Sequence, residues 1–220
     1  MHIEVIFDII CPWCYLGKRR LEESIIVRPN LSPKITWSSF LLNPNIPISG
    51  IDRQDYLTAR IGDEIRANQI YSSIEKLGNS SGIKFRFDRL DKIPNTLDAH
   101  RLIQYSSRLG LGSEMVESLF NAYFVQGFDT GNRNVLLKIA KKLGFNASSV
   151  RSYFDSDQDI EEIREQNLRA QKIGVNGVPA FIFDGKISIS GAQEPKVIAR
   201  LIEVAEERRR QMFSNGVQPV

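Results

Sequence analysis

The sequence predicts an α/β fold in which strands from both ends of the chain form one sheet around a long helical insertion. Three patterns lead to this expectation: a strand–helix–strand order in the first fifty residues, helical periodicity through the middle, and a hairpin followed by a helix near the end. We therefore expect a discontinuous domain of residues 1–50 and 174–220, interrupted by a helical domain of residues 51–173. Both parts would then fold as one cooperative unit.

The N-terminal segment predicts a strand that runs directly into a helix. Residues 3–10 form a nearly continuous apolar run rich in β-branched and aromatic side chains, which is typical of a strand covered on both faces. Pro12 suits the first turn of a helix, where its missing N–H is not needed, and Pro29 is expected to end that helix. Residues 35–42 predict a second strand. Cys11 is therefore expected at a strand-to-helix junction.

The rest of the chain divides into a helical middle and a β-rich end. Residues 52–173 have mainly helical periodicity, although the alternation at 83–88 fits either a strand or a short connection. An Asp-Gly pair at 184–185, flanked by apolar β-formers, is a strong hairpin signal. Residues 197–205 predict an amphipathic helix, and residues 213–220 a loose tail.

The composition is that of an ordinary globular protein: 42% of the residues are hydrophobic, 25% are charged, and the formal net charge is +3. The arginines at 208–210 follow two glutamates and indicate a solvated helix face, so no basic patch suggests a nucleic-acid partner. No apolar stretch is long enough to cross a bilayer, and the N-terminus lacks the basic start of a secretory signal. We therefore expect a cytoplasmic protein without membrane or nucleic-acid partners.

The chemistry is expected to lie in the only two cysteines, Cys11 and Cys14, which Pro12 and Trp13 separate. At the first turn of a helix, backbone N–H groups without intrahelical partners point toward the Cys11 sulfur. They stabilise a thiolate over a thiol, and the thiolate is the nucleophile in disulfide exchange. Cys14, one turn later, is placed to attack the mixed disulfide. The pattern predicts Cys11 as the more exposed nucleophile and Cys14 as the buried resolving cysteine.

Three other uses of the cysteine pair have less support. The cysteines could be packed and inert. A zinc site needs four ligands, and the only histidines are His2 and His100. A structural disulfide would close a loop of four residues and so remove little chain entropy. The strand-to-helix context favours redox chemistry over all three, and no metal site is expected.

Four segments carry a family resemblance. They are FDIICPWCYLG (7–17), NTLDAHR (95–101), GVNGVPAF (174–181) and SGAQ (190–193). Together they resemble the thioredoxin superfamily, and specifically the DsbA-like branch that includes the FrnE proteins and the 2-hydroxychromene-2-carboxylate isomerases. The resemblance implies a thioredoxin-like fold with a large all-helical insertion, since the helical block has the right position for that branch.

The resemblance implies that the Val178–Pro179 peptide is cis and lies against Cys11. Without the resemblance, a proline at the start of a strand is explained by its missing N–H, which is not needed for pairing at that position. In this arrangement the Val178 backbone would offer its N–H and C=O to a bound peptide or to glutathione as strand-like hydrogen bonds. Asp8, just before the cysteine motif, would oppose a thiolate if it faced the sulfur.

The resemblance also implies that residues 95–101 line the mouth of the site. Asn95 is then a substrate-binding residue and His100 a candidate proton carrier, although a lone histidine on a helix is more often a surface or core residue. Pro12 and Trp13 are expected to shape the surface that meets the partner. Further rim candidates are Tyr15, Asn43 and Gln193.

Two enzyme classes fit this combination. The first is a protein disulfide oxidoreductase that exchanges dithiols with protein or small-molecule disulfides. The second is a glutathione-dependent isomerase or kappa-class-like glutathione transferase, in which the protein activates glutathione's sulfur and a second cysteine has no role. Retention of Cys14 favours the first. A binding protein that ignores the thiols is a third hypothesis, without sequence support.

The remaining expectations concern cofactors, oligomeric state and the direction of electron flow. No resident cofactor is expected, but glutathione is a candidate co-substrate. The resemblance implies a homodimer that forms through the helical insertion. The sequence has no exposed apolar stripe that would require such an interface. A Pro-Trp pair between the cysteines does not determine the direction of electron flow.

Overall fold

The computed structural model describes residues 1–28, 30–62 and 64–214. None of the helices in these ranges is long and apolar enough to cross a membrane. The strands are β1 (His2–Phe7), β2 (Lys34–Ser39), β3 (Ile51–Asp52), β4 (Lys92–Ile93), β5 (Ala180–Phe183) and β6 (Ile187–Ser190). The α-helices are α1 (Pro12–Ile26), α2 (Arg53–Ile61), α3 (Glu64–Ser80), α4 (Leu97–Ser107), α5 (Gly112–Phe124), α6 (Arg133–Lys142), α7 (Ala147–Asp155), α8 (Ile160–Lys172) and α9 (Pro195–Ser214).

The main sheet has the strand order β2-β1-β5-β6, so strands from both ends of the chain lie side by side. β1 runs parallel to β2, with Ile3 opposite Ile35, and antiparallel to β5, with Val5 opposite Phe181. β5 and β6 form the predicted hairpin. The predicted α/β architecture around a helical block is therefore confirmed, while the domain boundaries at residues 51 and 173 stay a prediction.

Both N-terminal strands end earlier than the apolar runs that predicted them. β1 ends at Phe7 because the chain then turns, and β2 ends at Ser39. Ile9 and Leu41 nevertheless lie in the core, at 0% and 9% exposure. The apolar runs therefore predict which residues are buried, and the buried residues continue into the turns after the carboxyl ends of β1 and β2.

The C-terminal predictions are confirmed at the hairpin and are wrong at the start of the tail. Asp184 and Gly185 have positive φ angles of 46° and 67°, as the tight turn requires. α9 continues through residues 213 and 214, which were expected in the tail, and residues 215–220 lie outside the described residues. Pro29, expected to end α1, also lies outside them, and the helix ends before it at Ile26.

The two faces of the sheet contact different helices. Ile3, Val5 and Phe7 of β1 belong to the main core, which also includes residues of α1, α5 and α9. Ile6 points the other way into a smaller cluster, where Ala170 of α8 packs. Burial on both faces explains why the second half of β1, residues 5–7, is apolar at each position.

The alternation at residues 83–88 belongs to a connection within the helical block. Ile83, Phe85 and Phe87 are buried, and the described chain there forms only a short 3-10 helix, Phe87–Arg89. The rings of Phe85 and Phe87 stack with their centroids 5.0 Å apart. Alternating burial thus occurs here without a strand, because the connection lies over the aromatic core.

A buried arginine joins α4 to the end of α7. The Arg101 guanidinium donates to the carbonyl oxygens of Tyr153 (2.8 Å), Ser156 (2.6 Å) and Gln158 (2.9 Å), and to the Asp98 carboxylate (2.6 Å). It thereby satisfies carbonyl groups at a helix C-terminus. These hydrogen bonds hold α4, the helix that contains His100, against the end of α7.

Candidate active site

Cys11 lies at the N-cap of α1, directly after the turn that follows β1. Its backbone is extended (φ −90°, ψ 110°), and its N–H donates to the Asp8 carbonyl oxygen at 3.1 Å. The predicted strand-to-helix junction is therefore confirmed, with Pro12 in the first helical turn. The free N–H groups of that turn are available to a negative charge at the sulfur.

The Val178–Pro179 peptide is cis, and its loop lies against Cys11. The Cys11 thiol donates to the Val178 carbonyl oxygen at 3.4 Å. Pro179 is buried and Val178 is half-buried, and the Val178 N–H has no hydrogen-bond acceptor among the described residues. An unpaired backbone N–H beside the sulfur is a ready donor for an extended substrate.

The loop that follows β6 supports the cis-proline loop. The Gly191 N–H donates to the Pro179 carbonyl oxygen at 2.7 Å. The Gln193 side-chain amide donates to the Ser190 carbonyl oxygen at 2.8 Å and so closes the same turn. Gln193, expected at the rim as a substrate-binding residue, therefore uses its amide N–H to hold this loop.

Helix α1 approaches the cis-proline loop closely at Gly17. A Cβ atom at this position would lie 2.8 Å from Pro179 Cγ and 3.1 Å from Phe181 Cζ. One turn further on, Arg20 donates to the Ala192 carbonyl oxygen at 2.6 Å. The absence of a side chain at Gly17 thus lets the helix and the loop meet.

Cys14 lies one turn into α1, and its thiol is held in the protonated form. Burial raises the pKa of Cys14 well above its ordinary value, and the hydrogen bond and charge of Cys11 raise it further. Cys14 is 2% exposed and Cys11 is 5% exposed. The order of exposure agrees with the prediction, but Cys11 is more covered than expected because the Val178–Pro179 loop lies over it.

The Asp8 carboxylate, three residues before Cys11, is fully buried. Its Oδ2 accepts from the Leu42 N–H at 2.8 Å, and its Oδ1 lies 3.3 Å from His100 Nε2. The charge of Asp8 contributes to the raised pKa of Cys14, while the Asp8 backbone N–H opposes that rise. Asp8 therefore faces Leu42 and His100 and still influences the resolving cysteine.

His100 does not lie at the mouth of the site, where it was expected. It is 1% exposed, and the Phe7 ring packs edge-on against it with centroids 5.3 Å apart. Its Nδ1 has no hydrogen-bond partner among the described residues. The helix turns this residue toward the core, so the prediction of direct substrate binding by His100 is wrong.

In the described part of the chain, no three His, Cys, Asp or Glu side chains gather as a metal site.

The two asparagine candidates are engaged in hydrogen bonds that hold the surrounding loops. Asn95 donates to the Ile46 carbonyl oxygen at 2.6 Å and accepts from the Leu97 N–H at 3.0 Å, which closes the turn that leads into α4. Asn43 donates to the Tyr56 hydroxyl at 3.0 Å. The expected role of Asn95 in substrate binding stays a prediction.

The structure adds Arg53 and Tyr71, which the sequence analysis missed. The Arg53 guanidinium carbon lies 4.7 Å from the Tyr71 ring centroid, and Arg53 forms no ion pair with a carboxylate among the described residues. Burial raises the pKa of Tyr71, Arg53 opposes that rise, and the charges of Tyr56 and Cys11 add to it. Tyr71 packs against the core cluster that also contains Cys11. No local motif marks either residue.

A cavity of about 370 Å³ opens at the same edge of the sheet. β1 and β2 are parallel, so the chain leaves both at one edge, where Cys11 and the cavity-lining loop lie. The volume falls within the range of small-molecule sites. A cavity of about 390 Å³ between α5 and α6 contains neither cysteine, so volume alone does not locate the site. The first cavity is lined by Leu42, Asn43, Pro44, Asn45, Ile46, Pro47, Ile51 and Tyr56.

Similarity to known sequences extends over almost the whole chain. The family model of the DSBA-like thioredoxin domain matches residues 2–203. The uncharacterized protein YwbO of Bacillus subtilis strain 168 is 24% identical over 211 residues, which are 95% of this chain and 99% of YwbO.

Three solved structures share the fold. The probable DsbA oxidoreductase SCO1869 from Streptomyces coelicolor is 25% identical, with a TM-score of 0.87 over 94% of this chain and 90% of that chain. The cytosolic disulfide reductase DsbM from Pseudomonas aeruginosa is 16% identical (TM-score 0.68; 94% and 99% covered). A 2-hydroxychromene-2-carboxylate isomerase is 18% identical (TM-score 0.69; 99% and 100% covered).

Proposed function

Because the chain belongs to the DSBA-like thioredoxin domain family, we propose that it is a thiol–disulfide oxidoreductase that acts through Cys11 and Cys14. The family and the SCO1869 structure confirm the predicted thioredoxin-like fold with its helical insertion. One observation carries the proposal: the Cys11 thiol lies 3.4 Å from the carbonyl oxygen of a cis-proline loop, with a second, buried thiol one turn away.

The proposed reaction has two exchange steps. The Cys11 thiolate attacks one sulfur of a substrate disulfide, forms a mixed disulfide and releases the first thiolate. Cys14 then loses its proton and attacks the Cys11 sulfur, which releases the second substrate thiolate and leaves a Cys11–Cys14 disulfide. Two external thiols regenerate the dithiol by the reverse sequence. Electrons and protons balance without a resident cofactor.

The cis-proline loop supplies the substrate contacts that this reaction needs. The unpaired Val178 N–H and the Val178 carbonyl offer one donor and one acceptor beside the nucleophile. Trp13 is 37% exposed and provides an apolar surface next to Cys11. The Val178 carbonyl accepts the Cys11 S–H in the resting thiol and becomes free for substrate when the thiolate forms.

Arg53 favours small disulfides or thiols that carry carboxylates, with glutathione as a co-substrate. Arg53 is half-buried, has no carboxylate partner among the described residues, and packs on Tyr71, which borders the core cluster that contains Cys11. Arginine binds carboxylates through two parallel hydrogen bonds. DsbM, which shares the fold, has also been solved with GSH.

We place this chemistry in the cytoplasm, in the direction of disulfide reduction. DsbM is a cytosolic disulfide reductase. Glutathione keeps the cytosol reducing, and under these conditions the thiol form of the cysteine pair is the working state. A homodimer through the helical block stays a prediction.

Equilibration with mixtures of reduced and oxidised glutathione tests the function. We expect one two-electron transition in the fluorescence of Trp13, measured in a Trp37→Phe background so that a single tryptophan reports it. The transition should be lost in Cys11→Ser, while Cys14→Ser should form a glutathione adduct on Cys11 in place of the internal disulfide. A parent protein with no transition, together with full glutathione-conjugating activity of Cys14→Ser, would instead establish the transferase or isomerase class.

Arg53→Gln tests the substrate class. We expect the rate with glutathione disulfide to fall at least about tenfold, since a hydrogen bond to a charged group is lost. Cystamine, a disulfide with amines in place of carboxylates, should react no more slowly than with the parent. Lys92→Gln, which removes an exposed cation of β4, is the matched control. An equal loss with both disulfides would contradict carboxylate recognition.

A further inference from the structure

The cavity between α5 and α6 has the size of a small-molecule site and no part in the proposed exchange reaction. Its volume is about 390 Å³, and its lining comes from both helices and from the connection between them, residues 125–132. The described residues that line it include neither a cysteine nor a residue of the cis-proline loop. A ligand in this cavity would therefore occupy a second site, which lies in the helical block.

One end of this cavity is apolar. Because a short connection joins the two helices, the end of α5 lies beside the start of α6. Phe128 and Val135 line the cavity at that end, and the buried residues Ala122 and Ile139 lie next to them in the lining. The Phe128 side chain is 47% exposed. A ligand that covered this ring would remove apolar surface from water.

The rest of the cavity carries positive charge without a counter-charge. Lys138 and Lys142 are one turn apart on α6, so both side chains lie on the same face of the helix. Both are exposed, and neither forms an ion pair or a hydrogen bond with another described residue. The Ser118 hydroxyl of α5 lines the same region and also has no hydrogen-bond partner in the described chain. Three polar groups are therefore free to bind an anion.

Glu117, the carboxylate among the described lining residues, does not cancel this charge. It accepts hydrogen bonds from the Tyr15 hydroxyl at 2.9 Å and from the Lys18 ammonium at 2.7 Å, and Arg19 also donates to it. Burial raises the pKa of Glu117, but the charges of Lys18 and Arg19 lower it below its ordinary value. Because this carboxylate is already paired with two cations of α1, the two α6 lysines give the cavity a net positive charge.

We propose that the cavity binds a small organic anion with an apolar body, of the class of medium-chain or aromatic carboxylates. The carboxylate accepts from Lys138, Lys142 and Ser118, and the hydrocarbon part covers Phe128 and Val135. A lysine ammonium is a compact charge on a flexible stem, so it suits an anionic head group without requiring one fixed geometry. The inference does not depend on the cysteine chemistry, since neither cysteine lines the cavity.

Fluorescence titration with anilinonaphthalene sulfonate, an aromatic anion that brightens when its rings leave water, tests the site. We expect saturable binding that octanoate displaces. Hexanoate should compete about tenfold less well, because two fewer methylenes are buried. Octylamine has the same chain as octanoate but a positive head group, so it should not displace the probe. Displacement by octylamine as effective as that by octanoate would overturn the inference.

Substitution of the two cavity lysines tests the anion contact. Lys138→Gln combined with Lys142→Gln should raise the dissociation constant of the probe at least about tenfold, because hydrogen bonds to charged groups are lost. The matched control is Lys84→Gln combined with Lys141→Gln, which removes two exposed lysines that do not line the cavity. Unchanged binding in the first double variant, or equal weakening in the control, would overturn the inference.

Two further measurements test whether the probe binds elsewhere. Trp13→Ala removes the exposed ring beside Cys11 and should leave the dissociation constant unchanged. Loss of binding in this variant would place the probe at the cysteine motif and would contradict the assignment. The dissociation constant should also be independent of protein concentration. Weaker binding at higher protein concentration would show that a second copy of the chain covers the cavity, and the inference would then be wrong.

Discussion

Cys11→Ser is expected to abolish reaction with disulfides, whereas Cys14→Ser is expected to trap the mixed disulfide. A serine hydroxyl at position 11 does not ionise near neutral pH and cannot attack a disulfide sulfur. At position 14, the same substitution leaves the nucleophile and the Val178 carbonyl in place and removes only the resolving sulfur. The two variants should therefore stop the reaction at different points.

Mass spectrometry of the whole protein after mixing with glutathione disulfide distinguishes these outcomes. We expect Cys14→Ser to gain one glutathione, the parent to form its internal disulfide without an adduct, and Cys11→Ser to stay unmodified. Cys11→Ser retains Cys14, so it also serves as the control for direct attack by the buried thiol. A glutathione adduct on Cys14 in that variant would contradict the assigned roles.

Gly17→Val is expected to displace the cis-proline loop from Cys11. The first carbon of the new side chain would lie 2.8 Å from the Pro179 ring and 3.1 Å from the Phe181 ring, and both of these residues are buried. Overpacking of this kind lowers the free energy of unfolding by about 1–3 kcal/mol. Since the loop positions the Val178 backbone, the rate with disulfides should fall about 100-fold for a displacement near 1 Å.

Chemical denaturation and stopped-flow kinetics with glutathione disulfide measure these two effects. Glu23→Val is the matched control, because it places the same β-branched side chain on the exposed face of the same helix. Its cost should be limited to helix propensity, a few tenths of a kcal/mol. Parent-like stability and rate in Gly17→Val would show that the loop does not depend on this close approach.

Local patterns in the sequence were sufficient to predict the reactive pair and the hairpin. The spacing of Cys11 and Cys14 after an apolar run predicts the strand-to-helix junction, and the Asp-Gly pair at 184–185 predicts the tight turn. These features depend on neighbours within a few residues, where backbone geometry is set by the residues themselves. The family resemblance supplied the contact between the two ends of the chain.

The features that the sequence analysis predicted wrongly or missed depend on contacts between residues that are far apart in the sequence. The burial of His100 depends on which face of α4 meets β1, and Arg53 reaches the site only through its packing on Tyr71 of the next helix. The bond from the Asn95 amide to the Ile46 carbonyl oxygen likewise joins segments that no local pattern connects. Helical periodicity identifies an apolar face but does not state which neighbour covers it.

The central position of β1 determines when the site can assemble during synthesis. β1 is made first, yet its partner β5 is more than 170 residues away in the chain. On the ribosome the nascent chain can pair β1 with β2 early, while the Val178 carbonyl that covers the Cys11 sulfur is added 167 residues after Cys11. Until that loop has been made, Cys11 is therefore an uncovered thiol, and closure of the sheet by β5 and β6 is also the event that encloses it.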